Sequence, residues 1–191
     1  SARKTLAAQK NQITGWYGFG TCQWVGSPEY AEWWREWRWT PSDLARPDSN
    51  SSAWAPACPE SSSANLYMWM MDNFVKHYPQ RGVYYDCKQY IGCNNEAHGC
   101  GWVDENGGRQ PSSKILAERR FYERVYNIMK TADPVYGWAR HHDWGPNMAD
   151  GAFMDDNWIG EGWISPIAAT PEKNYYRVVD LPTMRYYFVN E

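Results

Sequence analysis

Three short segments of the chain each contain apolar, aromatic or small residues and end in aspartate, and this pattern constrains the fold most. They are residues 82–86, 136–143 and 151–156. Between the first two, residues 114–131 have the apolar periodicity of an amphipathic helix. Strands that alternate with helices favour a parallel sheet with helical crossovers. The C-terminal ends of such strands share one edge, so the pattern predicts a cleft lined by carboxylates.

The same alternation extends towards the N-terminus. Residues 13–19 mix β-branched and aromatic side chains and predict a first strand. Serines 61–63 can cap a helix over residues 64–77, with Leu66, Met70 and Phe74 on its buried stripe. The expected order is strand, long loop, helix, strand, loop, helix, strand, loop, strand.

Chain length limits how much of a barrel this order can build. The chain has 191 residues, whereas a complete (β/α)8 barrel takes about 250. We therefore predict an α/β fold that is part of a (β/α)8 barrel of the TIM type with long βα loops. Three or four βα units fit best.

No internal repeat or low-complexity linker divides the sequence, so residues 1–191 are expected to form a single domain. This domain is expected to belong to a larger barrel or a longer chain, because the sequence lacks an initiator methionine. Residues 21–61 are rich in tryptophan and proline and predict a long irregular excursion, with one short helix near residues 28–37. Residues 87–112 form a second insertion, a loop rich in cysteine and glycine.

Composition favours a protein that handles sugars. Aromatic residues make up 17% of the chain, yet its mean hydropathy is -0.76. Aromatic rings stack on the apolar faces of sugar rings, so this combination indicates a glycan as the partner. The net charge of -3 argues against nucleic acid, and no stretch approaches the roughly 18 apolar residues of a membrane span.

Acids and aromatic residues near the predicted strand ends form the candidate site. Glycoside cleavage uses one acid to protonate the leaving oxygen and a second group to attack or activate water at the anomeric carbon. Asp86 is predicted to be the nucleophile or base, and Asp155 or Glu161 the acid. Substrate binding is predicted for Lys88, His142, Asp143, Trp144, Asp156, Trp158 and Trp163. Neither a cofactor nor a catalytic metal is expected.

Other interpretations of these residues remain open. Asp86 could cap a loop through a turn of its own side chain. Asp155 and Asp156 cannot both enter the cleft from one strand, because successive side chains point to opposite faces. His141 and His142 should alternate in the same way, and as a pair they could instead ligate the metal of another kind of hydrolase.

The five cysteines cannot all pair within these residues, because their number is odd. Cys87, Cys93 and Cys100 share a loop too rich in glycine and asparagine to pack a core, so a disulfide there is the favoured prediction. The rival is a metal site that uses these three residues and His98, although its spacing lacks a C-x-x-C pair.

Two features favour a secreted or extracellular glycoprotein. Disulfides persist in oxidising compartments, and the triplet at residues 50–52 fits an acceptor for N-glycosylation.

Several short motifs between residues 82 and 163 also occur together in a known family. They are residues 82–86, the loop 95–99, the helix 119–130 and the segment 152–155 that runs into Gly160 and Glu161. In layout this stretch resembles the middle of the barrel of glycoside hydrolase family 123 and its uncharacterised relatives. The resemblance implies a (β/α)8 barrel that acts on glycans.

The characterised members of that family use an adjacent Asp–Glu pair and assistance by the substrate. The aspartate orients an acetamido group of the sugar, and the glutamate is the acid. Here Asp86 is followed by Cys87, and the only Asp–Glu pair, Asp104 and Glu105, lies in the Cys/Gly-rich loop. A two-carboxylate mechanism centred on Asp86 is therefore the better hypothesis.

The alternative function is a carbohydrate-binding or structural barrel domain without catalysis, within a larger extracellular assembly. An incomplete barrel leaves sheet edges that must be paired. Further chain segments or a homo-oligomer are therefore expected to complete it.

Overall fold

The structure is a computed structural model, and it describes residues 15–18, 21–39, 54–78, 80–86, 92–142 and 151–158. The strands and helices are, in chain order, β1 (Gly15–Gly18), β2 (Cys22–Trp24), α1 (Pro28–Trp37), β3 (Trp54–Pro56), α2 (Ser63–His77), β4 (Gly82–Tyr85), β5 (Trp102–Val103), β6 (Arg109–Gln110), α3 (Ile115–Ala132), β7 (Trp138–His142) and β8 (Asp156–Trp158). A 3-10 helix, Glu96–His98, precedes β5. Among the helices of these residues, none combines the length and apolar character that crossing a membrane requires.

A four-stranded sheet with the order β1-β4-β7-β8 forms the centre of the fold. Each neighbouring pair is parallel, and the spatial order follows the order along the chain. Helices α2 and α3 both contribute to the core on one face of this sheet. This confirms the predicted parallel α/β architecture, whereas closure into an eight-stranded barrel would require strands beyond those described.

The main core lies between the sheet and its two helices. Val83 and Tyr85 of β4 and Ala139 of β7 are fully buried, and they pack with Met71 of α2 and Val125 of α3. Alternation along each strand sends these residues to the helical side, and full burial of a large apolar side chain contributes about 1.5–3 kcal/mol. Residues 82–85 and 138–142 are therefore the best-anchored strands of the described fold.

Helix α2 buries a different stripe from the one that its sequence suggested. Tyr67, Met68 and Met71 face the core, whereas Met70 is exposed. Leu66 packs instead against the core of the Trp/Pro-rich segment. Apolar residues cover most of the helix circumference, so periodicity could not select the face that meets the sheet.

The described parts of the Trp/Pro-rich excursion, residues 21–39 and 54–61, are more ordered than the sequence suggested. Ser27 caps α1 by accepting a hydrogen bond from the Tyr30 backbone NH at 3.0 Å, and the helix begins at Pro28. Tyr30, Trp34 and Trp37 follow at helical spacing and form a second core beside the β2–β3 hairpin. Two tryptophans of this segment, Trp34 and Trp37, therefore belong to a small packed unit, and the predicted short helix is confirmed.

The predicted strand at residues 151–156 is wrong in its placement. Gly151 is helical, a turn follows at residues 152–153, and β8 begins only at Asp156. Asp155 and Asp156 thus stand at the beginning of the strand, below the C-terminal edge where the sequence pattern placed them. Tertiary hydrogen bonds fix this start, because the Asp155 backbone NH donates to the Ala139 carbonyl oxygen at 2.8 Å.

The predicted loop disulfide is not formed by the cysteines that the structure describes in this region. The Sγ atoms of Cys58 and Cys100 are 3.8 Å apart, and Cys93 contacts His98, whereas a disulfide bond is about 2.05 Å long. Cys87 lies outside the described residues. Cys58, from the distant Trp/Pro-rich segment, joins this group instead.

Candidate active site

The face of the sheet turned away from α2 and α3 carries polar and aromatic side chains in rows. Tyr17, Tyr84, Arg140 and Asp156 share one row, because the strand register places them side by side. The rings of Tyr17 and Tyr84 lie 5.3 Å apart between centroids. One row further on, towards the C-terminal strand ends, the sheet presents Asp86 and His142.

Asp86 follows β4 at the C-terminal edge of the sheet, where the sequence pattern placed it. Its backbone NH donates to the Gly18 carbonyl oxygen at 2.8 Å, which extends the ladder between β1 and β4. The Asp86 side chain receives a hydrogen bond from the Tyr17 hydroxyl at Oδ2. Its Oδ1 lies 3.0 Å from Nδ1 of His142. These contacts fix the orientation of the carboxylate.

The Asp86–His142 pair is shielded but remains open to solvent on one side. The side chains are 22% and 10% exposed, respectively. The His142 ring also stacks on Tyr84, with 6.3 Å between centroids. A histidine held by a carboxylate at Nδ1 has the orientation used in acid–base pairs of hydrolases.

Arg140 and Asp156 form a bidentate ion pair in the neighbouring row. The guanidinium Nε and Nη2 each donate to one oxygen of the carboxylate. The hydrogen bond to Asp156 raises the pKa of Arg140. The guanidinium also lies 5.3 Å from the centroid of the Trp138 ring. Asp156 is therefore balanced by a fixed positive charge and can accept hydrogen bonds from hydroxyl groups.

Asp155 points to the opposite face, as strand alternation requires of neighbouring residues. Its carboxylate accepts from Lys130 Nζ at 2.7 Å and from the Ala139 backbone NH at 2.8 Å. Both contacts tie the start of β8 to α3 and β7. The structure thus places Asp155 on the helical side of the sheet, away from Asp86.

His141 and His142 also diverge as the sequence predicted. The His141 ring packs edge-on against Tyr122 of α3 at 5.8 Å between centroids, whereas His142 contacts Asp86. The two imidazoles therefore lie on different faces and do not form a shared metal site with each other.

Several predicted site residues cannot be located. Lys88, Asp143, Trp144, Glu161 and Trp163 lie outside the described residues, and of Trp158 only its place at the end of β8 is described. Sequence reasoning missed Tyr17, Tyr84 and Arg140 as members of the site. Tyr84 and Arg140 lie two residues before Asp86 and His142 along predicted strands, and this shared parity is the signal that could have found them. Tyr17 joins the site only through the register of β1 with β4.

Asp104 of the Asp104–Glu105 pair has a structural role. The Asp104 carboxylate accepts from the Gly108 backbone NH at 2.7 Å, from the Asn106 backbone NH at 3.0 Å and from Gln110 Nε2 at 2.7 Å. These hydrogen bonds close the turn between β5 and β6. The hydrogen bond from Gly108 is the largest effect that lowers the pKa of Asp104. The contacts of the Asp104 carboxylate thus stabilise a turn, and Asp86 remains the candidate for the proposed chemistry.

A groove on the helical side offers a weaker candidate. It lies between α2 and α3, has a volume of about 510 Å³ and is lined by residues that include Val75, Ile128 and Asp72. Asp72 is paired with Lys76 of the same helix. Among the described residues that line the groove, no second acid accompanies Asp72. The Asp86 edge remains the better site for hydrolytic chemistry.

No protein-family model matches the chain, and no curated protein matches it. Its fold is similar to solved glycoside hydrolases. One is alpha-L-fucosidase isoenzyme 2 from Paenibacillus thiaminolyticus, with a TM-score of 0.53, 12% identity and coverage of 78% of this chain and 24% of that chain. Another is the GH36 alpha-galactosidase AgaB from Geobacillus stearothermophilus, with a TM-score of 0.51, 13% identity and coverage of 79% and 20%.

The chain has a glycoside-hydrolase-like fold. AgaA, a further GH36 alpha-galactosidase from Geobacillus stearothermophilus, matches with a TM-score of 0.50, 13% identity and coverage of 78% and 20%. At these identities the likeness concerns the fold alone, and it does not select family 123. This chain spans about a quarter or less of the length of these structures.

Proposed function

We propose that this chain is part of a glycoside hydrolase barrel and that Asp86 is its nucleophile or base. The observation that carries the proposal is the placement of Asp86 at the C-terminal edge of a parallel sheet, held between the Tyr17 hydroxyl and His142. Active sites of barrel enzymes lie at this edge. The glycoside-hydrolase-like fold supports the same reaction class.

The role of Asp86 depends on its distance from the acid. Carboxyl groups about 5–5.5 Å apart make Asp86 a nucleophile, and about 6.5–9.5 Å leaves room for a water molecule that Asp86 activates as base. Glu161 is the preferred acid. It follows β8 by three positions in the sequence, whereas Asp155 is engaged with Lys130 on the helical side.

The row below Asp86 offers the contacts that a sugar needs. Tyr17 and Tyr84 provide aromatic surface, and the Arg140–Asp156 pair provides donors and acceptors for hydroxyl groups. Trp158 ends β8 at the same edge, and Trp144 and Trp163 remain further candidates for stacking. The proposed ligand is therefore a glycan or oligosaccharide.

The test uses the natural protein that carries this sequence and a panel of chromogenic glycosides. The panel includes an α-fucoside and an α-galactoside, because the similar structures act on such substrates by name, and an N-acetylhexosaminide. Asp86→Asn should lower kcat/KM at least about a thousandfold, as loss of a nucleophile does elsewhere. Asp104→Asn, which alters a carboxylate in the β5–β6 turn, serves as the matched control. It should change kcat/KM less than about threefold.

Circular dichroism of both variants checks that the fold is intact. If Asp86→Asn keeps kcat/KM within tenfold of the unaltered protein, Asp86 is not the nucleophile or base. Hydrolysis of the N-acetylhexosaminide alone would instead favour assistance by the substrate, as in family 123.

A non-catalytic carbohydrate-binding or structural domain is the second candidate. The bidentate pairing of Asp156 with Arg140 favours it, because both oxygens of that carboxylate are already engaged by a partner within the chain. Calorimetric titration with oligosaccharides separates the two candidates. Binding without turnover, unaffected by Asp86→Asn, would establish this alternative. In both cases we propose a secreted protein, and peptide mapping for a glycan at residue 50 tests that location.

A further inference from the structure

Four potential metal ligands converge where the Trp/Pro-rich segment meets the Cys/Gly-rich loop. They are the thiols of Cys58, Cys93 and Cys100 and the imidazole of His98, and their ligand atoms all lie within 4.8 Å of one another. The Sγ atoms of Cys58 and Cys100 are 3.8 Å apart. Zinc–sulfur bonds of about 2.3 Å in a tetrahedron place neighbouring sulfurs about 3.8 Å apart, so this spacing fits a shared ion.

We propose that Cys58, Cys93, His98 and Cys100 bind one structural Zn²⁺ ion. Three thiolates and one imidazole are a donor set typical of closed, tetrahedral zinc sites. Cys58 and Cys93 are fully buried and Cys100 is 6% exposed, so the site is enclosed by protein. Enclosure fits a structural ion, since a catalytic zinc keeps one position open to water or substrate.

The hydrogen bonds of His98 present the correct ring nitrogen to the ion. Its Nδ1 lies 2.5 Å from the Glu36 carbonyl oxygen, so this nitrogen carries the proton and donates. Nε2 then faces the cluster, 3.1 Å from the Cys93 Sγ. Zinc-bound histidines commonly donate their second ring NH to a backbone carbonyl, which fixes the tautomer and orients the ring.

The surroundings also match the charge of the proposed site. One Zn²⁺ with three thiolates and a neutral imidazole carries a net charge of about -1. Burial lowers the pKa of Lys114, whereas Glu118 and the thiolates of Cys58 and Cys93 favour its charged form. The Lys114 ammonium lies 3.7 Å from the Glu118 carboxylate and 3.7 Å from the centroid of the Trp39 ring. The buried Lys114 amine therefore interacts electrostatically with Cys58 and Cys93 of the proposed site.

Backbone contacts hold the ligands in place from both sides. The Cys58 NH donates to the Trp37 carbonyl at 2.7 Å, and the Asn94 NH donates to the Trp39 carbonyl at 3.1 Å. Cys58 and Cys100 are 42 residues apart in the sequence. The ion would thus join the insertion after β1 to the insertion after β4, whether or not the chain is a hydrolase.

Metal content and variants test the site in the natural protein, purified without chelator and with zinc in the medium. We expect about one zinc per chain by elemental mass spectrometry. Cys93→Ser and His98→Ala should reduce the zinc content at least about fivefold. Cys22→Ser, at a buried cysteine outside the cluster, is the matched control and should retain the full zinc content. His98→Cys supplies a fourth thiolate and should also retain the metal.

Cobalt exchanged into the unaltered protein provides a test that does not depend on variants that fold poorly. Tetrahedral thiolate coordination should give intense visible absorption from cobalt and near-ultraviolet charge-transfer bands from sulfur. Protein without bound metal, or with a Cys58–Cys100 disulfide by peptide mapping, would overturn the proposal. Iron or copper in place of zinc, or equal loss of zinc in Cys22→Ser, would overturn it as well.

Discussion

At the scale of single residues, the Trp138 side chain explains why β1 and β4 each carry a glycine at the position in register with it. Its indole lies across β1 and β4, and a Cβ atom at Gly15 or Gly82 would overlap the ring. The register places Gly15, Gly82 and Trp138 side by side. Glycine is required here for close approach of the ring to the backbone, not for an unusual backbone angle.

Replacing Gly82 should therefore destabilise the fold. Gly82→Ala inserts a methyl group into the position of the Trp138 ring, and such overpacking costs typically about 1–3 kcal/mol. Urea denaturation measures the loss in free energy of unfolding. Gly151→Ala is the control, since a Cβ there meets no atom of the described residues within 4 Å. Equal stability of the two variants would show that the Trp138 ring moves aside without cost.

At the scale of elements, the C-terminal end of α1 is capped by the Cys/Gly-rich loop. The Asn95 Nδ2 donates to the carbonyl oxygens of Arg35 and Arg38, each at 2.7 Å. His98 donates to the carbonyl of Glu36. These donors satisfy carbonyl groups that the helix end leaves without partners.

Removing the Asn95 amide should leave buried carbonyl groups unsatisfied. Asn95→Ala is expected to lower the free energy of unfolding by about 1–3 kcal/mol, measured by urea denaturation with zinc present. Asn106→Ala, at an exposed side chain of the β5–β6 turn, is the control and should change it by less than about 0.5 kcal/mol. If Asn95→Ala lowers the free energy of unfolding by less than about 0.5 kcal/mol, water replaces the amide as the donor to these carbonyl groups.

A second element contact fixes the start of β8. Asp155→Ala removes the acceptor for Lys130 Nζ and for the Ala139 NH, and should cost about 1–3 kcal/mol. The control is Asp72→Ala, which removes an exposed Lys–Asp pair within α2 and should cost at most about 0.5 kcal/mol. Thermal and urea unfolding of both variants compares them. Similar losses would show that the Asp155 contacts add no more than a surface ion pair.

At the scale of the whole molecule, the described residues form two cores and a smaller buried cluster of Trp39, Cys58, Cys93 and Cys100. The larger core lies between the parallel sheet and helices α2 and α3, and the smaller one lies around Trp34 and Trp37. The four-ligand cluster stands where the smaller unit meets the Cys/Gly-rich loop. Local stability should therefore differ between the units.

Amide hydrogen exchange should resolve this difference. The slowest exchange is expected in β4, β7 and α3, since these elements pack through fully buried side chains. Removal of metal with a strong chelator should speed exchange at least about tenfold in α1 and residues 92–100 and leave the sheet unchanged. Uniform acceleration in every element would show that the two cores unfold as one unit.

The sequence predicted much of the architecture because local patterns carry it. Alternating strands and helices and the edge position of Asp86 follow from periodicity, capping residues and chain order. The short helix near residues 28–37 was predicted within a segment otherwise expected to be irregular. The divergence of His141 from His142 follows from strand alternation alone. The predicted strand began too early because the apolar residues before Asp155 resemble a strand. In the structure, the tertiary contacts of Asp155 set the start of β8 at the following residue.

The sequence by itself thus determined the parallel α/β order, the edge that carries Asp86 and the opposite faces of neighbouring strand residues. Only the tertiary structure decided which side chains meet: Tyr17 and His142 at Asp86, Arg140 at Asp156, and Cys58 in the cluster where Cys87 was expected. The physical reason is distance along the chain. Periodicity indicates which face of each segment is buried. It does not indicate which side chains tens of residues apart come into contact, because strand register and three-dimensional packing select those pairs.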